Sequence, residues 1–482
     1  MRFTLSGHAA LRVETEQLSL LVDPWLVGSC YWRSWWPYPP LPDVPEYWLR
    51  PDYLYLTHHH FDHFHYPSLR RIDKRTRLLV PEFGVDFMAG ELRQLGFSDI
   101  TEIPHAEVVD LPGGIRLASF QYGFDDSALL VSDGSTVIAN FNDCKVRGRP
   151  LEQVLGTFGR PTFLLKNYSW AQAYPICYRA DDPADLSLLR RENYSQDFLA
   201  TVRDVRPDYA VPFASMVCFL HPETAHLNDT VITPGELEEA FVRADVDHTE
   251  FVTMGPGDSW GPDEGFSLSG VDYYSDRADR LSRLRQALAP QIDRSAQEEA
   301  ERHLDYETLS GYFTAFLRAL PVGAHLLLRR PVAFGTTSPG SPYCVLDFRR
   351  RKVTRAEFPP PACASVIRVP EGVLADAIDK RIVNFIHISM RLDVELRPGG
   401  IHVDLPFWGL LAIWELGYLP LRRLLTRRMV RATWRRRAEV WESFASKLVG
   451  RGSLVNRMSS NMMAGTEGTE RPTRTGRGRP RP

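Results

Sequence analysis

Six residues after a short apolar strand constrain this chain more than any other feature. Tyr53–Leu56 runs directly into Thr57-His58-His59-His60-Phe61-Asp62-His63, an H-x-H-x-D-H pattern at the C-terminal end of a strand. Strand-to-loop geometry aims His58 and His60 at one point, and Asp62 and His63 at a second point close by. Imidazole and carboxylate in that spacing suit two borderline divalent cations, zinc or iron. The alternative is a polar loop that happens to be rich in histidine, or a partner-binding surface. Four matched positions within six residues, directly after a buried strand, favour metal.

The rest of the chain is read around that cluster. Its 482 residues suffice for two ordinary domains. Residues 1–270 alternate strands and helices: strands at Phe3–Leu5, Leu11–Glu14, Leu18–Val22, Arg77–Val80, Ile115–Phe120, Ala128–Val131, Thr136–Phe141, Phe163–Leu165 and Tyr209–Val211, helices at Val85–Leu95 and near Glu192–Val205. Asp133-Gly134 signals a hairpin. Residues 275–450 read as an α+β accessory domain, with a charged helix over Arg277–His303, strands at Leu326–Leu328, Tyr343–Phe348, Ala364–Val369 and Leu392–Leu396, and helices at Leu374–Lys380 and Asn384–Met390. A helical stretch from Leu405 to about Val449 is apolar first and basic second, and the Gly/Thr/Arg/Pro-rich residues 451–482 are expected to be disordered. Packing of Phe407, Trp408, Leu411 and Trp414 on the core, with a solvated basic face, is the expected role of residues 405–437. Contact with a membrane surface is the less favoured alternative. With 57 basic and 60 acidic residues, the net charge of −3 gives no nucleic-acid footprint. Six cysteines occur singly, without a Cys-x-x-Cys pair, so neither a disulfide framework nor a cysteine metal cluster is expected. No signal peptide and no apolar run of spanning length is visible, and a cytoplasmic location is expected.

The histidine motif resembles that of the metallo-β-lactamase superfamily. The resemblance implies an α/β fold, an αββα four-layer sandwich with metals at the sheet edges, followed here by the smaller α+β domain and the basic helix. It also implies further ligands. Asp143, after an apolar strand in Asn140-Phe141-Asn142-Asp143-Cys144, matches the bridging carboxylate, and His221, after Val211-Pro212-Phe213-Ala214, matches the late histidine of the second metal. The third histidine of the first metal is missing. Alignment by the strand near Ser127 puts Tyr122, Asp125 or Asp126 there, so the first site uses one of these or stays empty, and phenolate or carboxylate would suit iron better than zinc. His105 and His226 are weaker substitutes, and His8, after the first strand, is either a supporting residue near the site or a turn residue. Asp23-Pro24-Trp25-Leu26-Val27-Gly28, Trp35-Trp36, the histidine motif, Asn142-Asp143-Cys144, Val211-Pro212-Phe213-Ala214 and His221-Pro222 recur in that order in the CMP-N-acetylneuraminate hydroxylase family. That family draws electrons from a Rieske iron–sulfur domain. No Cys-x-His pair occurs here, so the domain is expected to be absent and sialic-acid hydroxylation is not carried over. Residues 300–400 are faintly similar to a sterol-carrier-protein domain.

Three functions remain. In the first, a metal-dependent hydrolase, His58, His60 and Asp143 hold one metal and Asp62, His63 and His221 the other. The pair would activate water against an ester, lactone, amide or phosphodiester. Asp62 doubles as the catalytic residue orienting the nucleophile, and Trp35 and Trp36 wall a cleft for a small-molecule substrate. The second is an oxygen-dependent diiron hydroxylase or N-oxygenase served by an external reductase. This fold hosts such chemistry in the diiron β-hydroxylase of chloramphenicol biosynthesis. The third is a non-catalytic metal-binding scaffold. The hydrolase is the expected function.

Overall fold

The computed structural model describes residues 1–169 and 172–440. Period-two patterning builds its centre. In Ser19–Val22, Leu20 and Val22 face one way and Leu21 the other, so each strand feeds two apolar layers. Eight strands form the first sheet, in the order Gly265–Ser267, Ser259–Gly261, Arg2–Gly7, Ala10–Glu14, Ser19–Val22, Tyr53–Tyr55, Arg77–Pro81, Ile100–Ile103. Seven form the second: Glu250–Phe251, Tyr209–Pro212, Phe163–Lys166, Val137–Asn142, Asp126–Ser132, Arg116–Tyr122, Val108–Asp110. Phe3, Leu11, Leu20 and Val22 of the first sheet meet Leu129, Val131, Ile138 and Phe163 of the second in one buried core. Leu21, Leu54, Leu78 and Val80 on the outer face of the first sheet pack against Leu69 of helix Tyr66–Arg71 and Leu92 of helix Met88–Gln94. Phe120, Leu130 and Leu164 on the other outer face share a core with Leu151, Phe198 and Leu237 of helices Gly148–Phe158, Glu192–Val205 and Pro234–Arg243. This is the expected αββα layering. Asp133-Gly134 does turn a hairpin, with Ser132 opposite Val137 and Gly134 at φ +93°.

Tyr53–Tyr55, Val137–Asn142, Phe163–Lys166 and Tyr209–Pro212 each pair with a parallel neighbour. Such strands end on a common edge, where their C-terminal loops gather. That edge carries the histidine motif, Asp143 and the turn after Pro212.

A third sheet of six strands runs Tyr178–Ala180, Asp393–Leu396, Ser365–Val369, Val332–Thr336, Tyr343–Asp347, Lys352–Ala356. Its first strand comes from within residues 1–270, so backbone pairing crosses the boundary expected near 270. Leu326–Leu328, expected as a strand, closes a 3-10 turn over Val322–Leu326 that follows Pro321; the strand lies at Val332–Thr336. The charged helix stops at Ala300, and a second helix, Tyr306–Ala319, starts on an Asp305 cap that accepts from the Thr308 N–H. The helical stretch from 405 is likewise divided. Helix Ile401–Glu415 buries Phe407, Trp408, Leu411 and Trp414 as expected, Gly417 at φ +90° and Pro420 break it, and the basic helix resumes at Arg427–Arg435. Arg428 pairs with Glu102, Arg431 with Glu82 and Arg435 with Glu107, so this part of the basic face is paired with the N-terminal domain. Among the described residues no helix is long and apolar enough to cross a membrane. The expected tail, 451–482, lies outside the described residues.

Tyr178 of the crossing strand hydrogen-bonds Asp404 at 2.8 Å and His387 at 2.9 Å, all three buried. Burial pushes the Asp404 carboxyl up to about 6, against the pull of the Tyr178 hydroxyl. An acid held above its unfolded value near 4 stabilises the fold fully below that value and loses the contribution as pH rises through 6. Urea unfolding of the protein should therefore show a decline between pH 4 and 7 that is smaller in Asp404→Asn by on the order of 2–3 kcal/mol; an unchanged slope in the variant would rule it out.

Candidate metal centre

Loop 57–63 leaves strand Tyr53–Tyr55 and is fixed by Asp23, at the end of the neighbouring strand. One Asp23 oxygen accepts from the Thr57 N–H at 2.8 Å; the other accepts from the Thr57 hydroxyl at 2.6 Å and faces His63 Nδ1 at 2.8 Å. The Thr57 hydroxyl also contacts His58 Nδ1 at 2.9 Å. With both Nδ1 atoms engaged, Nε2 of His58 and of His63 point inward, as in a carboxylate–histidine–metal relay. Asp143 follows Asn142 at the end of the parallel strand of the other sheet. Asn167 donates to its Oδ1 at 2.9 Å, leaving Oδ2 at 3.4 Å from His63 Nε2 and 3.7 Å from His58 Nε2.

Three sets of ligand atoms come within reach of a common ion: His58, His60 and Asp126; His58, His63 and Asp143; and His8, Asp62 and His63. The Asp143 group therefore shares His58 with one of the other groups and His63 with the other. Asp126, at the start of strand Asp126–Ser132, supplies the carboxylate where the third histidine was missing. Asp125 approaches His60 to 3.7 Å but belongs to none of the three sets, and Tyr122 stands opposite Asp126 in the strand register.

His221 belongs to none of these three sets. Its segment follows strand Val217–Phe219, which pairs with Trp35–Pro37 and so turns toward the tryptophan loop. Burial pushes His221 down to about 3, helped by Arg391, Arg285 and Arg33. His8 completes the second group instead, its Nε2 at 2.8 Å from Asp62. The loop after Tyr209–Pro212 still contributes, because Ala214 N–H donates to the His8 carbonyl at 3.0 Å and so fixes its position. His8, Asp23, Asn142 and Ala214 all have positive φ, between 36° and 48°. Four non-glycine residues in this sparsely populated region around one point mark backbone strained into place.

The other histidines have structural duties. His59 faces Glu91, His65 faces Ser68, His105 lies between Gln121 and Gln153, and His226 is exposed. Trp35 is core, edge-on to Tyr31 and Phe219. Trp36 does line a cavity of about 950 Å³, but no metal-group residue lines it, and its wall includes Tyr31 and Phe61. Tyr31 was not anticipated: its hydroxyl donates to Asp62 at 2.6 Å and receives the Phe61 N–H at 3.0 Å. A buried tyrosine in an aromatic loop carries no sequence signal that separates it from core, and Asp23 reads as a turn residue before Pro24.

The donor set fits cations. Nε2 of His58 and His63, Nδ1 of His8 and Oδ1 of Asp126 are buried without a hydrogen-bond partner among the described residues. Each such group costs about 1–3 kcal/mol if left unmatched. Burial, with His63 and His60 beside it, holds His58 well below the usual histidine value. Burial also opposes charge on His63, yet Asp62 and Asp23 outweigh it and hold that imidazole well above the usual value. Burial and the neighbouring Asp125 push Asp126 up to about 7. Carboxylates crowded in this way favour a neutralising positive charge, and the groups could hold a metal ion.

Residues 2–151 match the family model described as a beta-lactamase superfamily domain. A Mycobacterium tuberculosis protein provisionally named a Rieske 2Fe-2S iron-sulfur protein is 33% identical over 253 residues, 49% of this chain and 48% of the relative. The cytidine monophosphate-N-acetylneuraminic acid hydroxylase of Mus musculus is 23% identical over 253 residues, 48% of this chain and 41% of the relative. The chain thus spans about half the length of the curated relatives it matches. Among solved structures, CmlA, a diiron beta-hydroxylase from Streptomyces venezuelae, aligns with TM-score 0.37 and 20% identity over 52% of each chain. An isothiocyanate hydrolase from Delia radicum gut bacteria aligns with TM-score 0.42 and 19% identity over 54% of this chain and 99% of the other.

Proposed function

We propose that the chain, whose residues 2–151 match a beta-lactamase superfamily domain, is an oxygen-dependent hydroxylase with a dinuclear iron centre, acting on a small molecule. The observation that carries this reading is Asp126, a carboxylate completing the His58–His60 group where a zinc hydrolase of this pattern would place a third imidazole. Three carboxylates and four histidines make a donor set harder than that of a hydrolytic zinc pair, and oxygen donors suit iron. The relatives named as a hydroxylase and as an iron–sulfur protein support the same direction.

Iron held by these residues would supply the activation of dioxygen. The overall balance is R–H + O₂ + 2e⁻ + 2H⁺ → R–OH + H₂O, with the electrons delivered by a separate reductase. The chain's own residues do the positioning. Asp23 and Thr57 lock the imidazoles of His63 and His58, Asn167 turns Asp143 so that one oxygen faces both, and Tyr31 holds Asp62. His60 and Asp143 keep 21% and 16% of their side-chain surface exposed, whereas His58 and His63 have none, so substrate approaches from the His60–Asp143 side.

Elemental analysis of untagged protein, made in iron- and zinc-sufficient medium, tests the proposal. About two iron per chain, with an absorbance that bleaches on reduction and returns with oxygen, is the expected result. Two zinc per chain with turnover of esters, lactones or phosphodiesters would transfer the site to hydrolysis, which the intact H-x-H-x-D-H motif also serves. Less than one metal, not restored by reconstitution, would leave only the scaffold.

A further inference from the structure

Asp126 follows a three-residue loop, Gly123-Phe124-Asp125, that joins strands Arg116–Tyr122 and Asp126–Ser132 across the pair Tyr122–Asp126. Gly123 stands at φ +63°, and Phe124 is 48% exposed, so local sequence does little to choose one loop conformation. The contacts that hold the loop come from residues 294 to 316 positions away. Glu439 accepts from the Gly123 N–H at 2.9 Å, Arg436 donates to the Gly123 carbonyl, and Tyr418 donates to the Phe124 carbonyl at 2.7 Å with its ring edge-on to Phe124. Arg436 and Glu439 are also an ion pair, each with about an eighth of its side chain exposed.

This segment is itself tied to the body of the N-terminal domain. Arg428 donates to the Phe83 carbonyl at 2.7 Å and pairs with Glu102, Arg431 pairs with Glu82 at 3.1 Å, and Arg435 pairs with Glu107 at 2.8 Å. A side chain at Gly84 would meet Met429, so the helix lies directly on that turn. The basic residues thus fasten a strap across the edge of the first sheet, and the end of the strap grips the loop before the unusual metal carboxylate.

We propose that the Arg436–Glu439 pair, with Tyr418, is the positioning element for Asp126, so that cation affinity at the His58–His60–Asp126 group depends on the C-terminal strap while the His8–Asp62–His63 group does not. The inference rests on the reading of these residues as a two-cation centre. A histidine ligand comes oriented by its own ring partner; a carboxylate at the mouth of a glycine loop needs its backbone fixed from outside, and the strap supplies that. Loss of such outer support typically lowers metal affinity about 10- to 100-fold.

The test is a titration of the full chain with Co²⁺ alone, followed by d–d absorbance and by competition with a chromophoric chelator. Wild-type protein should take up two equivalents. Glu439→Ala and Arg436→Met should weaken one of them about 10- to 100-fold and leave the other unchanged, reproducing the spectrum of Asp126→Asn rather than that of His8→Ala. Glu439→Gln, which keeps an acceptor for the Gly123 N–H, should restore most of the lost affinity. Circular dichroism checks the fold, and Tyr418→Phe, which deletes one hydrogen bond and keeps the ring, gives the same direction should a charge variant fail to fold. Two equivalents at wild-type affinity in folded Glu439→Ala, Arg436→Met and Tyr418→Phe would overturn the strap's role, as would equal weakening of both. Wild-type protein that binds no Co²⁺ would overturn the two-cation centre, and the strap's role with it.

Discussion

His8→Ala protein is expected to hold one metal equivalent instead of two, while His221→Ala retains both. His8 lies with Asp62 and His63, whereas His221 faces Arg391, Arg285 and Arg33, surroundings that repel a cation. Loss of one ion from a cooperating pair removes several kcal/mol of charge stabilisation, and about 4 kcal/mol corresponds to a roughly thousandfold fall in turnover. The His221 variant should keep its turnover within a few-fold. Metal analysis after desalting, together with the rate of reductant-dependent oxygen uptake, separates the two. The reverse pattern, with His221 essential and His8 dispensable, would mean that the loop after Val217–Phe219 swings into the centre and that the arrangement described above is not the working one.

Arg391→Met should cost stability on the order of 3 kcal/mol. Arg391 is 1% exposed. Its guanidinium reaches Glu299 at 2.6 and 2.9 Å, Glu223 at 2.8 Å and the Trp32 carbonyl at 3.2 Å. One side chain thereby joins helix Arg277–Ala300, the loop after Val217–Phe219 and the tryptophan loop. Removing one partner of a buried ion pair costs about 3–5 kcal/mol because the other charge is stranded. Glu299 and Glu223 keep 20% and 46% exposure and recover some hydration, which sets the value near the lower bound. Urea unfolding at neutral pH measures it, and a loss below about 1 kcal/mol would show that the cluster is hydrated and contributes little.

The metal donors and the strap illustrate what kind of information each level holds. Period-two strands such as Leu18–Val22, the Asp133-Gly134 turn and the H-x-H-x-D-H run were legible in the sequence because their signals are local. Side-chain alternation, turn chemistry and ligand spacing all act within a few residues. Asp143 was reached through the family resemblance, since a carboxylate after an apolar strand reads locally as a turn residue. The roles of His8, Asp23, Tyr31 and Asp126 were decided by tertiary structure. Each lies in a separate stretch of chain, and only the folding of those stretches onto one edge brings His8, Asp23 and Asp126 beside His58 and His63 and Tyr31 beside Asp62. His221 shows the converse. Its place in chain order matched a ligand, yet it belongs to none of the three donor sets, and its segment follows a strand paired with Trp35–Pro37. The sequence by itself determined the strand patterning and the histidine motif, and the resemblance that motif carries implied the layers. Which histidine closes the second group, and that a C-terminal arginine and glutamate grip the loop of the first, were decided by packing between distant segments, because contact energies across the fold leave no periodic mark in the residues that make them.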